Sequence, residues 1–155
     1  LKAILNPNGV MKIALYSQES RKSLDPLIAL CNIDPKKTNP EEIRHARLTI
    51  NQLPIDDPRL IPVVENREYY SLSSCRDLLF HANEHRYTPS LIEKQLADLN
   101  LTFLGFDLHK PHVMHLYRTL FKDDPYMSNL QNWAKFEQKN PTTFNGMYIF
   151  YCQAL

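Results

Sequence analysis

The chain has 155 residues, of which 43% are hydrophobic and 23% are charged, a composition typical of a folded globular domain. Its 18 basic and 17 acidic side chains give a net charge of +1, which provides no broad positive surface for nucleic acid. The 3 glycines, at positions 9, 105 and 146, lie in no glycine-rich nucleotide-binding motif, and no apolar run is long enough to span a membrane.

The first half of the sequence predicts one strand followed by a series of helices. After an Asn-Pro-Asn-Gly turn, the mostly apolar segment Val10–Tyr16 indicates a largely buried strand. Helical spacing of apolar residues follows over 17–33, and again from Asn39 to about residue 53, where an Asn-Pro pair is a typical helix start. The prolines and acids of 54–62 predict a loop, and the spacing over 75–84 predicts an amphipathic helix.

The second half adds two strands and three helices. A Thr-Pro pair begins a helix over 88–99, and 102–108 indicates a second strand. Helical spacing recurs over 111–121 and 128–138, and the aromatic residues of 147–152 predict a terminal strand. Three strands that carry this much helix indicate an α/β sheet, normally part of a wider one.

Several segments resemble the class I S-adenosylmethionine-dependent methyltransferases. Residues 5–13 (LNPNGVMKI) resemble the turn that leads into the fifth strand of that family's seven-stranded sheet. Residues 87–106 resemble its last helix and sixth strand, and 147–152 resemble its antiparallel seventh strand. Residues 69–86 (YYSLSSCRDLLFHANEHR) resemble a bacterial subgroup whose methyltransferase domains often follow tetratricopeptide repeats.

The resemblance implies a fold and an organisation of the chain into segments. Residues 1–155 would be one segment, the C-terminal half of the methyltransferase sheet, with about three strands and the last one antiparallel. Large helical insertions would occupy 18–66, as a lid, and 109–146, between the last two strands. The turn departs from the family pattern at Asn6 and Asn8, where lysine and glycine are usual.

The resemblance also implies where the cofactor binds. Family members hold S-adenosylmethionine through a glycine-rich loop after the first strand and an acidic residue after the second. Neither feature is present here, so S-adenosylmethionine is expected on the complete protein and no cofactor on this fragment. The fragment alone is expected to be inactive, and a missing N-terminal half of the domain would be its partner. The sequence does not identify the methyl acceptor.

Candidate site residues lie on the substrate side of this expected sheet. Tyr16 and Ser17 end the first strand, where open α/β sheets place their sites. A second group of polar and aromatic residues would line the acceptor site: Tyr69, Tyr70, Arg76, His81, Glu84 and His85. The simpler interpretation of these residues is a helix start, a solvated charge pair and a helix end.

Two other functional classes remain open at this stage. His81, Glu84 and His85 match H-x-x-E-H, the inverted zincin pattern, which on a helix supplies two zinc ligands and a base for a metalloprotease. The second class is a helical protein-interaction module that uses a small sheet as its scaffold.

Cysteines and the sheet edge give the remaining expectations. The odd number of widely spaced cysteines predicts reduced thiols and a cytoplasmic protein, and Cys75, beside Arg76 at a helix start, is a candidate for a lowered pKa. The first strand normally pairs with a strand that this chain lacks, and an uncovered edge favours aggregation. We therefore expect a homodimer or strand exchange to cover that edge.

Overall fold

The computed structural model describes residues 2–64, 66–144 and 146–154. The chain forms two compact units. The first, which we call the sheet unit, contains the residues up to Ser20 and those from His85 onward; the second, the helical unit, is Arg21–Glu84. In the part of the chain that the structure describes, no helix is long and apolar enough to cross a membrane.

The sheet unit contains a mixed four-stranded sheet. Its strands are β1 (Val10–Ser17), β2 (Arg86–Tyr87), β3 (Leu101–Phe106) and β4 (Met147–Ala154), in the order β2-β1-β4-β3. β2 is parallel to β1, whereas β4 is antiparallel to both β1 and β3. The predicted α/β class is confirmed, but the predicted number of three strands is wrong because β2 has only two residues, too few to give a sequence pattern.

The helical unit follows β1. It is built from α1 (Gln18–Arg21), which leads into it, and from α2 (Asp25–Cys31), α3 (Pro40–Asn51), α4 (Ile61–Val64) and α5 (Leu72–Leu79). The predicted start of α3 is confirmed. The Asn39 side chain accepts hydrogen bonds from two first-turn N–H groups, and Glu42 completes a capping box.

Two predictions about this unit are wrong in their boundaries. Residues 54–62, predicted as a loop, contain a 3-10 turn at Pro58–Leu60 and the first residues of α4, because the Asp57 side chain caps that turn. The predicted helix over 75–84 begins earlier, with Ser71 as its cap, and ends at Leu79. Phe80, just beyond that end, is fully buried in the core of the unit.

The helical unit extends beyond residue 66, the expected end of the insertion. The buried side chains of α5 belong to the same apolar cluster as those of α2 and α3, so α5 is part of this unit. The fully or nearly buried members of the cluster include Leu27, Ile43, Ala46, Ile50, Cys75, Leu78 and Leu79.

The sheet unit has its own core. Its helices are α6 (Pro89–Asp98), α7 (Pro111–Leu120) and α8 (Leu130–Lys139). As predicted, Thr88 caps α6, and Asn100 follows that helix in a left-handed conformation. The segment 109–146 packs into the core of this unit through buried residues of α7 and α8: Val113, Tyr117, Leu130, Trp133 and Phe136.

The two faces of the sheet differ in burial. Met11, Ile13 and Leu15 of β1 pack against the core, and the alternating residues between them are exposed. The opposite face exposes apolar side chains of three strands: Val10, Leu104, Ile149 and Tyr151. β1 pairs with β2 only through its last two residues, so among the described residues Val10–Leu15 has no strand partner on that edge.

Candidate functional site

The carboxyl ends of β1 and β2 are the natural place to look for a ligand site. Tyr16 pairs in register with Arg86, and Ser17 pairs with Tyr87. Because the two strands are parallel, their carboxyl ends lie side by side, which is where open α/β sheets bind their ligands. The chain passes into the helical unit after Ser20, close to the end of β1, and re-enters the sheet unit at His85, one residue before β2.

Ser17, one of the two predicted residues here, is buried and bonded within the sheet unit. Its hydroxyl donates a hydrogen bond to Glu137 Oε1 at 2.9 Å and accepts one from the backbone N–H of Ser20 at 3.1 Å. Its own N–H donates to the carbonyl of Gly146 at 2.9 Å. Tyr16, the other predicted residue, is half-buried.

Glu137 of α8 is the buried acid at the carboxyl end of β1. Its other carboxylate oxygen, Oε2, accepts a hydrogen bond from the Tyr148 hydroxyl at 2.5 Å. Burial and this bond to the carboxylate raise the pKa of Tyr148 well above its ordinary value. The Tyr148 hydroxyl therefore remains protonated and serves as a donor.

A small polar cavity of about 170 Å³ adjoins this network, next to the start of α6. Its lining contains two carboxylates, hydroxyl groups and one amide: Glu19, Thr88, Pro89, Ser90, Ala134, Glu137, Gln138 and Tyr148. Cavities that hold whole small-molecule ligands are larger, about 300–1,000 Å³. This one has room for a small chemical group.

A larger apolar groove of about 450 Å³ lies on the open side of the sheet unit. Aromatic and sulfur-containing side chains form most of its wall: Phe106, Met114, Tyr126, Met127, Trp133 and Tyr151. Lys12 lies over the Tyr151 ring, and its ammonium contacts Asp107 Oδ2 at 2.6 Å. That contact raises the pKa of Lys12 and lowers the pKa of Asp107.

The helical unit contains the predicted aromatic pair. Tyr69 is buried, and its hydroxyl donates to Asn51 Oδ1 at 2.9 Å, while the Arg47 guanidinium lies over its ring. Tyr70 is 59% exposed and donates to the carbonyl of Val64 at 2.8 Å. The two tyrosine rings meet edge to face, so Tyr69 supports the core and Tyr70 presents an aromatic surface.

The H-x-x-E-H residues do not lie on a helix. Because α5 ends at Leu79, His81 and the residues after it follow an irregular path, and the predicted helical placement is wrong. His81 Nδ1 accepts the N–H of Asn83 at 3.3 Å. Glu84 forms a two-point ion pair with the buried guanidinium of Arg21. His85 is exposed and belongs to the sheet unit.

The arrangement around Glu84 differs from that of a zinc hydrolase. Among residues 2–64, 66–144 and 146–154, no group of three or more His, Cys, Asp and Glu side chains is placed to hold a metal ion. Arg76, another predicted site residue, is exposed on α5. Of the predicted residues in the helical unit, the structure brings Tyr69 and Tyr70 into contact, and Glu84 contacts Arg21, which the sequence did not single out.

The cysteines are poorly suited to act as nucleophiles. Cys75 is fully buried, and burial raises its pKa despite the influence of Arg47, so the predicted lowering is wrong. Burial, with a smaller contribution from nearby Cys75, raises the pKa of Cys31 to about 11. Cys152 is also buried, with a raised pKa.

These pKa values predict slow alkylation. Cys31, the half-buried cysteine, is expected to react with iodoacetamide at pH 8 about a hundredfold more slowly than an ordinary thiol, because little of it is thiolate. Mass spectrometry of the labelled chain measures the rate. A Ser73→Cys variant, at an exposed position of α5, is the matched control and should react at the ordinary rate. Equal rates at Cys31 and at the introduced thiol would contradict the prediction.

Two important residues escaped the sequence analysis although a signal for each was present. Glu137 is four residues after Trp133 and adjoins Phe136, so helical spacing places it on the buried face of α8. Arg21 is three residues before Leu24, on the buried side of its helical turn. In both cases a charged residue on an apolar face indicated a buried pair.

Comparison with known proteins adds no assignment. No protein-family model matches the chain, and no curated protein matches it.

Proposed function

We propose that this chain is the acceptor-side part of an S-adenosylmethionine-dependent methyltransferase of class I. In this proposal the complete protein transfers a methyl group, and polypeptide other than these residues supplies the cofactor site. The helical unit is a lid that selects the acceptor. The sheet unit is the C-terminal part of the catalytic sheet.

The strand arrangement is the observation that carries the proposal. The resemblance assigns β1, β3 and β4 to the fifth, sixth and seventh strands, with the last antiparallel to the others. β4 pairs antiparallel with both β1 and β3, which makes β1 and β3 parallel to each other. A helical insertion directly follows the carboxyl end of β1, the side on which such sheets bind substrates.

The uncovered edge of β1 and the exposed apolar face of the sheet also support the proposal. Val10–Leu15 has a free backbone edge among the described residues, and one sheet face exposes apolar side chains. The doubly wound sheet that the resemblance implies has helices on both of its faces. A neighbouring strand and helix from the N-terminal half of a methyltransferase domain would complete the sheet. A homodimer through the same edge stays a prediction.

The polar cavity at the carboxyl ends of β1 and β2 does not fit the cofactor. The cavity at the carboxyl ends of β1 and β2 is smaller than a nucleoside needs, and Glu19 and Glu137 line it. Neither Gly105 nor Gly146 begins a helix after a parallel strand, where a glycine-rich loop would hold the cofactor. We therefore assign no step of cofactor binding or methyl transfer to these residues. Their proposed role is to bind and orient the methyl acceptor and to exclude water.

Calorimetric titration of S-adenosylmethionine tests the proposal. The 155-residue chain is compared with a longer polypeptide that also contains the region encoded upstream of it. We expect micromolar binding to the longer polypeptide and none to the shorter. Absence of binding to the longer polypeptide would contradict the methyltransferase assignment. Binding to the 155 residues alone would contradict the division between cofactor and acceptor parts.

A second candidate function, a protein-interaction module, is favoured by exposed apolar side chains of the helical unit. Ile55 is 98% exposed and Ile61 is 73% exposed. Exposed apolar surface of this kind occurs at protein-binding sites. Failure of the titration together with capture of a defined partner that Ile61→Ser abolishes would favour this candidate over the first.

A further inference from the structure

The buried carboxylate of Glu137 joins three segments that are distant in sequence. It lies near the end of α8, and its two oxygens accept hydrogen bonds from Ser17 at the end of β1 and from Tyr148 in β4. Only 4% of Glu137 is exposed. A buried carboxylate is stable only when donors surround it, and both of its oxygens have one here.

The bonds continue from Ser17 into the segment that leads to the helical unit. Ser17 Oγ accepts a hydrogen bond from the N–H of Ser20, which is the last residue of the sheet unit before the helical unit begins. The Ser20 hydroxyl accepts a hydrogen bond from the N–H of Gly146 at 2.8 Å, and the Gly146 carbonyl accepts one from the N–H of Ser17. These bonds close a ring of Ser17, Ser20 and Gly146, and Glu137 holds it through the Ser17 hydroxyl.

Ordinary core packing does not require this arrangement. An apolar residue at position 137 would fill the same space without a desolvated charge, and buried charges stabilise a fold only when they are well paired. Here the paired charge fixes one rotamer of Ser17, whose hydroxyl has to donate to the carboxylate and accept from Ser20 at the same time. The charge therefore sets the geometry of the segment after β1.

We propose that Glu137 is a positioning residue that holds the segment through which the chain leaves β1 for the helical unit. Without its carboxylate, the ring of Ser17, Ser20 and Gly146 opens more often while the rest of the sheet unit stays folded. The proposal concerns local order and stands independently of the methyltransferase assignment.

The sheet unit supplies a matched control in Asp124. This carboxylate is also buried and also accepts from a tyrosine hydroxyl, that of Tyr117, at 2.5 Å. It also accepts from the N–H groups of Ser128 and Asn129 and from the Ser128 hydroxyl, just before α8. Asp124→Asn therefore reproduces the loss of a buried charge without touching the ring at the end of β1.

Hydrogen exchange of single amides, measured by NMR on the whole chain, tests the proposal. In Glu137→Gln we expect the amides of Ser17, Ser20 and Gly146 to exchange about tenfold faster or more, relative to the mean change in the sheet unit. In Asp124→Asn those three amides should follow the mean, and Ser128 and Asn129 should exchange faster instead. A uniform increase in Glu137→Gln, or unchanged exchange at the three amides, would overturn the proposal.

A second variant covers the case in which Glu137→Gln does not fold. Tyr148→Phe keeps the aromatic ring of residue 148 and removes its hydroxyl, which is one donor to Glu137. The carboxylate is then held less firmly and in turn holds Ser17 less firmly. We expect exchange at Ser20 to rise about threefold, with Tyr117→Phe as the control that leaves Ser20 unchanged. Equal exchange at Ser20 in these two variants would also overturn the proposal.

Discussion

Replacing Arg21 by alanine is expected to lower the free energy of unfolding of the helical unit by about 3–5 kcal/mol, the usual cost of removing one partner of a buried ion pair. Arg21 is 2% exposed, and its guanidinium pairs with both carboxylate oxygens of Glu84. The variant removes this guanidinium from a carboxylate that is only 11% exposed. Urea denaturation followed by circular dichroism measures the loss.

An exposed pair of the same unit is the matched control. Arg59 pairs with Asp57 in a similar two-point geometry, but 38% of the Arg59 side chain is exposed. Arg59→Ala is expected to cost about 1 kcal/mol or less, since water screens an exposed pair. The double variant Arg21→Met, Glu84→Leu should recover most of the stability lost in Arg21→Ala, because it removes both charges. A loss below about 1 kcal/mol in Arg21→Ala would show that Glu84 is well solvated without its partner.

Urea denaturation of a Glu84 variant tests the zinc hydrolase alternative. A glutamate that serves as the base of a metal site is selected for activity and not for stability. Its removal therefore often leaves the free energy of unfolding unchanged or raises it. Glu84→Ala is instead expected to destabilise the helical unit, because it leaves the Arg21 guanidinium buried without its carboxylate.

Local sequence signals predicted the elements whose ends are set by capping. Asn39 and Thr88 each precede a proline, and each caps the helix that the sequence assigned to it. The end of α5 had no such signal. No glycine or proline directly follows Leu79. Phe80, the first residue beyond the helix, is fully buried among side chains of the helical unit, some of them far away in sequence, and no local pattern indicates that packing.

The strand pairing and the site were predictable to different degrees. Six of the eight residues of β1 are apolar or aromatic, and β4 begins with six such residues in succession, whereas the two residues of β2 form a strand only because Tyr16 and Ser17 offer them an edge. Tyr16 and Ser17 were expected at the end of β1 and lie there. Their partner Glu137 is 120 residues further along the chain, and no local pattern links it to Ser17.

Replacing Trp133 by alanine is expected to cost the sheet unit about 3–5 kcal/mol, a large part of the stability of a domain of this size. Trp133 is fully buried in α8, stacks on Tyr117 with ring centroids 4.0 Å apart, and meets Phe106 edge to face at 5.4 Å. Its indole N–H also donates to the carbonyl of Met127 at 2.8 Å, and the left-handed conformation of Met127 presents that carbonyl to it. The variant leaves a cavity among aromatic rings and a carbonyl without its donor.

Two further variants separate the contributions of the ring and the N–H. Trp133→Phe keeps an aromatic ring beside Tyr117 and loses the bond to Met127, so we expect a smaller loss of about 1–2 kcal/mol. Tyr126→Ala removes an aromatic side chain that is 85% exposed and should change stability by less than about 0.5 kcal/mol. Circular dichroism is the suitable probe, because Trp133 is the sole tryptophan and its replacement removes the fluorescence signal. If Trp133→Ala and Tyr126→Ala cost the same, the aromatic cluster around α8 is not the core of this unit.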